Sequence, residues 1–474
     1  MTKKFYVTTP IYYANAEPHI GSAYATLSAD IIARYYRIKY GNENVLSLVG
    51  TDEHGQKIAE EANKKGVEPK LYVDSLVPTF KDAWKSLNID FDVFMRTTDP
   101  SHENEASRVI QKIYDKGYIY SGTYEGLYCV GCEKFLTEKD LVNGKCPLHP
   151  NREPVYQKER NYFFKLKDFQ NKLIELFEND KVEILPKYRK REVLNRIKEG
   201  LEDISVSREG VSWGVPVPWD KSHTIYVWVE ALLNYYTATK TREDWGRFWP
   251  ADVHIVGKDI IWFHTVIWCA LLMAAEISLP KTVFGHGFLT LKGQKISKSL
   301  GNVISPKELI DQYGLDGTRY LLASAATFGE DRNIDEGEFD EKFQADLANG
   351  LGNLVARVET LAEKIGIEAD SEIPGINTDV AGAIERYELD KGLDFIRLWI
   401  SGLDKYLNQE RPWEKSASES KQTLLAIIKG AEGVKSIKEI ASSLRPYLPD
   451  TAEEILRRFS GTVRKGKILF PRLK

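Results

Sequence analysis

The sequence predicts an α/β protein: a parallel sheet flanked by helices, interrupted by a small metal-binding insertion and followed by an α-helical bundle. Three observations predict this fold class. Short runs rich in β-branched and aromatic residues alternate with helical patterns from residue 5 to 116 and again after residue 223. Paired cysteine and histidine knuckles lie between these stretches. From Glu341 onward the apolar residues keep helical spacing, and we expect no strand there.

The composition is that of an ordinary soluble globular protein, with 42% hydrophobic and 28% charged residues. A chain of 474 residues is too long for one hydrophobic core, so about two to four domains are expected. The net charge of −4 gives no overall nucleic-acid signature, although a local basic surface would suffice for binding. Four cysteines are too few for a disulfide framework and no signal peptide precedes Phe5, so we expect a cytoplasmic protein. The longest apolar run, Ile260 to Ala275, is too short to span a membrane and predicts a buried helix.

The first candidate site joins a strand to a helix. Residues Phe5 to Thr8 predict a strand, and helical spacing begins after Gly21. The start of a helix is a natural anion site because unpaired backbone N–H groups converge there. Gly21 lets a ligand come close, and His19 can offer it a proton or a positive charge. Taken alone, such a histidine is more often a turn residue whose ring bonds locally.

The second candidate site is the basic segment Lys295-Ile296-Ser297-Lys298-Ser299, which stands between Gly293 and Gly301. A strand predicted over residues 283–291 leads into it. Two lysines in a glycine-flanked loop suit a polyphosphate. The alternative is a solvated surface loop.

A further strand is predicted to place polar residues at the same edge of the sheet. Residues 44–49 form a buried strand that runs into Asp52 and His54. Because ligands of parallel sheets bind where the strands end, we expect Asp52 and His54 to face the same crevice as His19. The alternative for Asp52 is the N-cap of the helix that follows from Lys57.

Aromatic residues form a stripe in the second α/β stretch. Trp228, Ala231 and Tyr235 are three and four residues apart, and hence lie on one helical face. Such a stripe is usually core, but the strand before it returns to the same sheet, which makes it a candidate pocket wall. A later strand over residues 253–256 ends in Gly257-Lys258-Asp259.

The insertion carries a candidate metal site. Cys129 and Cys132 form one knuckle, and Cys146 and His149 form a second after 13 intervening residues. Four ligands at this spacing suit a tetrahedral zinc ion, whereas a redox-active cysteine pair would not need the second knuckle. With no ligand left over for catalysis, we predict one structural zinc that helps a small domain to fold.

The residues His19-Ile20-Gly21-Ser22 and the KISKS segment, in this order and at this separation, resemble the two signatures of class I aminoacyl-tRNA synthetases. The details resemble the methionyl-tRNA synthetase family over essentially the whole chain. The resemblance implies a Rossmann-type nucleotide-binding domain, a zinc-containing connective insertion and a C-terminal helical bundle. The implied ranges are 1–116 and 223–290 for the two halves of the catalytic domain, 117–222 for the insertion, 291–340 for a stem-contact region with the KISKS loop, and 341–474 for the anticodon-binding domain.

Enzymes of this family activate L-methionine with ATP to methionyl-adenylate and transfer it to the 3′ end of tRNA(Met). Positioning and charge stabilisation suffice for this chemistry, without a protein nucleophile. The resemblance assigns catalysis to His19, Lys295 and Lys298. It assigns binding of ATP, together with Mg²⁺, to His19, Gly21, Ser22, Gly257, Asp259, Lys295 and Lys298. Ser22 departs from the family pattern, because many relatives carry a second histidine there.

The resemblance also implies a methionine pocket. Its residues would be Ile11, Tyr13, Asp52, Trp228, Ala231, Tyr235, Ile260, Phe263 and His264. Asp52 would hold the substrate ammonium group, and the aromatic side chains would enclose the thioether through sulfur–aromatic contacts. Arg208 resembles an arginine near the substrate carboxylate.

The helical region would read the CAU anticodon. The residues implied are Asn349, Asn353, Arg357 and Trp413, the first three of them four apart on one helix face. The alternative for Trp413 is a buried turn residue that packs the bundle. The basic residues after Glu454 are either a solvated tail or a tRNA contact. We expect a monomer.

Two other classes of protein share some of these features. A class I synthetase for isoleucine, valine or leucine normally has a large editing insertion that this chain lacks the length for, and a cysteine enzyme keeps zinc in its amino-acid pocket. A tRNA-binding paralogue without activity is disfavoured because His19, Asp52, Lys295 and Lys298 are all present.

Overall fold

The computed structural model describes residues 3–130, 134–136, 140–147, 149, 151–291, 294–295, 304–431 and 433–473. The chain divides into two compact units. The first comprises residues 1–18, 43–82 and 91–286, and the second comprises residues 19–42, 83–90 and 287–474. Both units are therefore discontinuous in sequence.

The secondary structure follows the expected alternation. The strands are β1 (Phe5–Tyr13), β2 (Val45–Asp52), β3 (Val93–Arg96), β4 (Ile119–Cys129), β5 (Lys134–Leu136), β6 (Val155–Phe164), β7 (Glu183–Leu185), β8 (Ile204–Ser205), β9 (Ser207–Arg208), β10 (Pro216–Val217), β11 (Asp220–Ile225), β12 (Val253–Gly257), β13 (Thr282–His286), β14 (Leu289–Leu291), β15 (Gln294–Lys295), β16 (Arg332–Ile334), β17 (Glu368–Ala369) and β18 (Gly461–Thr462). The α-helices are α1 (Ile20–Tyr40), α2 (Gln56–Lys64), α3 (Pro69–Ser86), α4 (Pro100–Asp115), α5 (Gln170–Glu178), α6 (Lys187–Lys198), α7 (Val227–Leu232), α8 (Asn234–Thr237), α9 (Trp268–Ala275), α10 (Pro306–Tyr313), α11 (Leu315–Ala323), α12 (Glu336–Lys342), α13 (Asn353–Ile365), α14 (Thr378–Glu385), α15 (Leu389–Glu410), α16 (Ala417–Lys429), α17 (Ile437–Leu444) and α18 (Pro449–Arg458). Two π-helical segments span Phe263–Ile267 and Phe343–Gly352.

The first unit is built on six parallel strands in the order β3-β2-β1-β12-β13-β7. All eight residues of β2 are buried, as expected for an inner strand covered on both faces. Parallel strands present their carboxyl ends at one edge, so β1, β2 and β12 end on the same side of the sheet at Tyr13, Asp52 and Gly257. The predicted α/β class is confirmed, and three strands that carry predicted site residues end at one edge.

The range predicted as an insertion contributes to this sheet. Strands β5, β4, β6 and β8 form an antiparallel sheet of their own, but β7 pairs with β13 at the edge of the parallel sheet. Phe164 and Leu173 belong to the same hydrophobic core as Leu46 and Val256. A separate small cluster surrounds Cys129 and Cys146. Among the residues of this range that the structure describes, only this tip has a core of its own. The limits at residues 117 and 222 stay a prediction.

The second unit is mostly helical, as predicted. It contains α1, α10 to α18 and two small sheets, β15-β14-β16 and β17-β18. The expectation of no strand after Glu341 is wrong, because β17 pairs with β18. Strands of two residues are too short to leave a periodic pattern in the sequence. Helix α1 is anchored by the fully buried Arg319, which donates to the Asp30 carboxylate at 2.7 Å and to the Tyr447 carbonyl oxygen at 2.8 Å.

Two predicted elements differ in detail. The strand expected over residues 283–291 is two strands, β13 and β14, separated by Gly287 and Phe288. A Cβ on Gly287 would lie 2.1 Å from the Glu330 carbonyl group, so a side chain does not fit at this break. The buried helix expected over residues 260–275 is present, but residues 263–267 within it are π-helical. Among the described residues, no helix combines the length and apolarity needed to cross a bilayer.

Candidate active site

His19 caps the start of α1 with its own side chain. Its Nδ1 accepts a hydrogen bond from the Gly21 N–H at 3.1 Å, so the neutral ring carries its proton on Nε2. The ring folds back over the helix start, and a Cβ on Gly21 would lie 2.9 Å from the His19 Cε1. Gly21 is therefore required for this ring position, and the ring's hydrogen-bond donor is Nε2.

Ser22 completes the cap. Its Oγ accepts from the His19 N–H at 3.1 Å and donates to the His19 carbonyl oxygen at 2.7 Å. A hydroxyl has one proton, and here the proton serves the backbone of His19. This geometry gives a physical account of a serine at this position, and direct binding of ATP by Ser22 stays a prediction.

The basic segment is described only in part. Lys295 lies in β15, where it is the register partner of Thr290 in β14. Lys298 lies outside the described residues, as does most of the KISKS segment. Their assignment to ATP stays a prediction from the sequence.

Asp52 lies at the end of β2 and is paired in register with Tyr13 at the end of β1. It is buried, and its backbone carbonyl oxygen accepts from the Ala14 N–H at 2.8 Å. The alternative that Asp52 caps the next helix is wrong, because the N-cap of α2 is Gly55 and no side chain bonds there. A carboxylate at this strand end remains suited to a cationic ligand group.

The predicted aromatic residues meet in the first unit. The rings of Trp228 and Phe263 stack with centroids 4.4 Å apart and planes inclined by 21°. The Tyr235 hydroxyl lies 2.8 Å from the His264 Nε2, and the His264 Nδ1 lies 3.0 Å from the Ile260 carbonyl oxygen. A carbonyl only accepts, so Nδ1 carries the proton of His264 and Nε2 accepts from Tyr235.

Burial keeps the side chains of His264 and Tyr235 uncharged. Burial lowers the pKa of His264 to about 4. Burial also raises the pKa of Tyr235, and the charge of Asp52 adds a smaller increase. Asp52 is thus close enough to act on Tyr235. Phe263 and His264 begin the π-helical segment, a form of helix often found at functional sites. Of the remaining predicted pocket residues, Ala231 is buried, while Ile11 and Ile260 pack against the core of the first unit.

Gly257 and Asp259 form the turn after β12. The Ile260 N–H donates to the Gly257 carbonyl oxygen at 3.1 Å, and the Lys258 N–H donates to the His286 carbonyl oxygen at 3.0 Å. The Asp259 side chain is exposed in this turn. A carboxylate held at the end of a parallel strand is suited to bind hydroxyl groups of a sugar.

Sequence reasoning missed a buried acid next to the aromatic stripe. Glu230 is 1% exposed, and its two oxygens face His102 Nε2 at 2.7 Å and His54 Nδ1 at 3.3 Å. The only signal in the sequence was a glutamate inside the apolar helix pattern 227–233.

The candidate metal ligands also come together. Cys129 Sγ and Cys146 Sγ lie 3.8 and 3.9 Å from His149 Nδ1, and the three ligand atoms lie within 4.8 Å of one another. Tetrahedral zinc with sulfur and nitrogen ligands places such atoms about 3.5 Å apart. Cys132 lies outside the described residues. The group of three could hold a metal ion.

The predicted anticodon residues lie in the second unit. Asn349 is in the second π-helical segment, Asn353 begins α13, and both are exposed. Arg357 donates to the Asn408 Oδ1 at 2.6 Å and to the Asp404 carboxylate. Trp413 is 46% exposed, so the alternative of a buried turn residue is wrong. An exposed indole can stack on a base.

Comparisons with known proteins identify the family of the chain. A family model described as "tRNA synthetases class I (M)" matches residues 5–152 and 149–359. The methionine–tRNA ligase of Caldanaerobacter subterraneus subsp. tengcongensis is 41% identical over 100% of this chain and 79% of its own length. That of Clostridium acetobutylicum is 41% identical over 99% of this chain and 78% of its own length. The solved Mycobacterium tuberculosis methionyl-tRNA synthetase in complex with methionyl-adenylate is 32% identical with a TM-score of 0.90, over 99% of this chain and 100% of the solved chain.

The chain has the fold of a class I aminoacyl-tRNA synthetase. It combines a parallel sheet, a histidine that caps the first helix and a lysine–serine segment in the sequence. Within that class, the chain belongs to the methionyl-tRNA synthetase family.

Proposed function

We propose that the protein is a methionine–tRNA ligase. In the first step an oxygen of the methionine carboxylate attacks the α-phosphorus of ATP, the bond to the β-phosphate breaks, and pyrophosphate leaves. In the second step the terminal ribose hydroxyl of tRNA(Met) attacks the carbonyl carbon of methionyl-adenylate, and AMP leaves. The observation that carries the proposal is the uncharged aromatic group of Trp228, Phe263, Tyr235 and His264 in the same unit as Asp52.

Methionine would be selected by complementary chemistry. An apolar, flexible thioether suits aromatic faces such as Trp228 and Phe263, because sulfur–aromatic contacts are favourable. His264 is neutral near pH 7, since burial lowers its pKa to about 4, so no imidazolium charge opposes an apolar side chain. The carboxylate of Asp52 would hold the substrate ammonium group.

Charged and hydrogen-bonding side chains would bind and activate ATP, and no protein nucleophile would take part. The His19 Nε2–H would donate to a phosphate oxygen, while the lysines of the KISKS segment would offset charge on the departing pyrophosphate. Mg²⁺ would accompany ATP and shield its phosphates. Gly257 would let the nucleotide approach the turn, and Asp259 would bind the ribose hydroxyls.

The metal is proposed to be one structural zinc held by Cys129, Cys132, Cys146 and His149. The two thiols and the imidazole near each other are the donor set that zinc prefers. Its role would be to organise the tip of the insertion. We further propose that Asn349, Asn353, Arg357 and Trp413 read the CAU anticodon, and that the enzyme works as a monomer in the cytoplasm.

The test is methionine-dependent exchange of pyrophosphate into ATP without tRNA. We expect exchange with L-methionine and at least about a hundredfold less with leucine, isoleucine, valine or cysteine, because only methionine combines length, flexibility and sulfur. Exchange with one of the others instead would reassign the amino acid. Tight binding of tRNA without any exchange would identify an inactive tRNA-binding paralogue.

A further inference from the structure

We propose that Glu230 is a positioning residue for methionine: with His54 and His102 it fixes the helix that carries Trp228 and Ala231, and it keeps the His54 side chain from pairing with Asp52. The proposal rests on the proposed function, because it assumes that Asp52 binds the substrate ammonium group. Glu230 is 1% exposed and its two oxygens face His102 and His54, so its effect on the substrate would be indirect.

Glu230 connects three segments of the first unit. Its Oε1 lies 2.7 Å from His102 Nε2 at the start of α4, and its Oε2 lies 3.3 Å from His54 Nδ1 in the segment after β2. His102 Nδ1 in turn lies 2.7 Å from the Thr237 hydroxyl in α8. Helix α7 is thus tied to α4 and to the segment that follows Asp52.

The helical period places Glu230 on the side opposite the aromatic stripe. At about 100° per residue, Trp228 and Ala231 share one face of α7, and Glu230 lies on the other. Glu230 can therefore fix the position of α7 through the face that lies away from the substrate, without contacting the substrate. Any effect of its substitution on methionine has to pass through the helix or through His54.

His54 lies between two carboxylates, one at each ring nitrogen. Its Nδ1 faces Glu230, and its Nε2 lies 3.4 Å from the Glu103 Oε1. An ionised carboxylate only accepts hydrogen bonds, so both ring nitrogens must carry protons. The Trp213 ring lies 5.3 Å from the His54 ring, and the Gly55 N–H donates to the Trp213 carbonyl oxygen at 3.0 Å. The segment that follows Asp52 is held in place by these contacts.

The charges agree with the geometry. Burial disfavours the imidazolium, but Glu230, then Glu103 and finally Asp52 outweigh it and raise the pKa of His54 to about 10. Burial also disfavours the Glu230 carboxylate, yet His54 and His102 hold the pKa of Glu230 at about 2. Asp52 and Glu230 therefore act on the same cation. If Glu230 were uncharged, Asp52 would be its remaining buried acid, in competition with the substrate ammonium group.

The experiment compares the wild-type enzyme with Glu230→Gln in methionine-dependent pyrophosphate exchange. At about pH 6.5 the variant should have a KM for methionine raised about tenfold, with the KM for ATP changed less than about twofold. At about pH 8.5 the rise should shrink to less than about threefold, because His54 without Glu230 loses its proton in this range. The methionine KM of the wild type should not show this pH dependence.

Two variants control the test. Glu103→Gln removes the partly exposed acid from the same imidazolium and should change the methionine KM less than about twofold, since solvent screens that pair. Replacing His54 by glutamine in the Glu230→Gln protein removes the competing cation and should return the methionine KM towards the wild-type value at about pH 6.5. A merely structural role of Glu230 would lower the melting temperature and kcat, and the second substitution would not rescue it.

The outcomes separate the two proposals. An active wild type with an unchanged or pH-independent methionine KM in Glu230→Gln would overturn this inference alone. No methionine-dependent exchange by the wild type would overturn the proposed function, and this inference with it. If Glu230→Gln does not fold, nitrogen NMR of histidine-labelled wild-type protein decides: a doubly protonated His54 ring at about pH 7.5 is expected, and a neutral ring would overturn the inference.

Discussion

At the scale of single residues, the site requires glycine or serine at positions where a neighbouring group lies close. Gly21 makes room for the His19 ring, and Gly50 lies where a Cβ would approach the Met95 carbonyl oxygen to 2.3 Å. Ser22 uses its hydroxyl on the backbone of His19. The identity of each small residue follows from a contact with its neighbour.

The substitution Gly21→Ala should abolish most activity without unfolding the protein. The new methyl group would meet the His19 ring at 2.9 Å and displace it, although alanine suits a helix better than glycine. We expect kcat for pyrophosphate exchange to fall about a hundredfold or more. Gly402→Ala is the matched control, because nothing lies within 4 Å of its Cβ position in α15. Equal activity of both variants would remove the His19 ring position from the mechanism.

The substitution Asp52→Ala should raise the methionine KM far more than the ATP KM. It leaves a substrate ammonium group without its partner in a partly buried site, at a cost of about 3 kcal/mol, or about a hundredfold in affinity. Isothermal titration with methionine measures this loss directly. Near-normal methionine binding would take Asp52 out of the site.

At the scale of elements, short and irregular segments carry several of the predicted site residues. Phe263 and His264 begin one π-helical segment, Asn349 lies in the other, and Trp413 lies in the single turn Pro412–Glu414 between α15 and α16. In that turn Pro412 is buried while Trp413 is 46% exposed. The turn is thus anchored by the proline and presents the indole to solvent.

The substitution Trp413→Ala should impair tRNA charging and leave methionine activation intact. Stacking of a base on an aromatic ring is worth about 1–3 kcal/mol, so charging efficiency should fall at least about tenfold. Leu398→Ala is the matched control, since this side chain is 64% exposed on α15, outside the turn. A Trp413→Ala protein that still rejects altered anticodons as sharply as the wild type would contradict the assignment.

The pair of His54 and Glu230 links the segment after β2 to α7, and it should make stability depend on pH in a defined direction. The pKa of His54 is raised from 6.5 to about 10, so its stabilisation is complete below about pH 6.5 and is lost as the pH rises through about 10. The pKa of Glu230 is lowered from 4.5 to about 2, so its stabilisation is complete above about pH 4.5 and is lost as the pH falls towards 2.

Urea unfolding should therefore separate the wild type from His54→Gln most between about pH 5 and 6.5 and least near pH 10. The surface pair of Lys307 and Asp311 supplies a control, because its removal should change stability little at any of these pH values. A gap between wild type and His54→Gln that stays constant up to pH 10 would contradict the assigned charge of His54.

At the scale of the whole molecule, a large hydrophobic core stabilises the first unit, and the metal group lies apart from it. The core includes residues from the sheet, from α9 and from the range predicted as an insertion. Cys129, Leu136 and Cys146 form a separate small cluster, with Leu141 packed against it. Loss of the metal should therefore destabilise the small cluster around Cys129 and Cys146 before it destabilises the rest of the first unit.

Purified protein should contain one zinc per chain, and His149→Ala should lose it. Without zinc, the segment around residues 125–155 should become sensitive to protease while the melting temperature of the main transition changes little, because the main core does not depend on the metal. Cys269→Ala is the matched control: this cysteine is buried in α9, away from the metal group, and its substitution should leave the zinc content unchanged. Zinc-free wild-type protein, purified without chelator, would refute the site.

The local features of this protein could be predicted from the sequence because neighbouring residues carry them. The strand at Phe5 and the helix after Gly21, the Cys129 and His149 knuckles and the stripe at Trp228 each follow from spacing and turn chemistry within a short window. These patterns were sufficient for the fold class, whereas the roles of most candidate residues were implied by the family resemblance and stay predictions. The sequence alone does not decide whether Trp413 is exposed or buried. It also does not decide whether Asp52 caps the following helix.

Tertiary structure alone decided what distant segments do to one another. The pairing of Tyr13 with Asp52 follows from the register of β1 and β2, and β7 joins the sheet only because β13 offers it an edge. In the sequence, Glu230 is an acid without an evident partner in an apolar helix. Its partners are His54 and His102, which lie more than a hundred residues earlier in the chain. A buried charge is tolerated only when its partners are present, and the packing of the whole unit determines which residues those are.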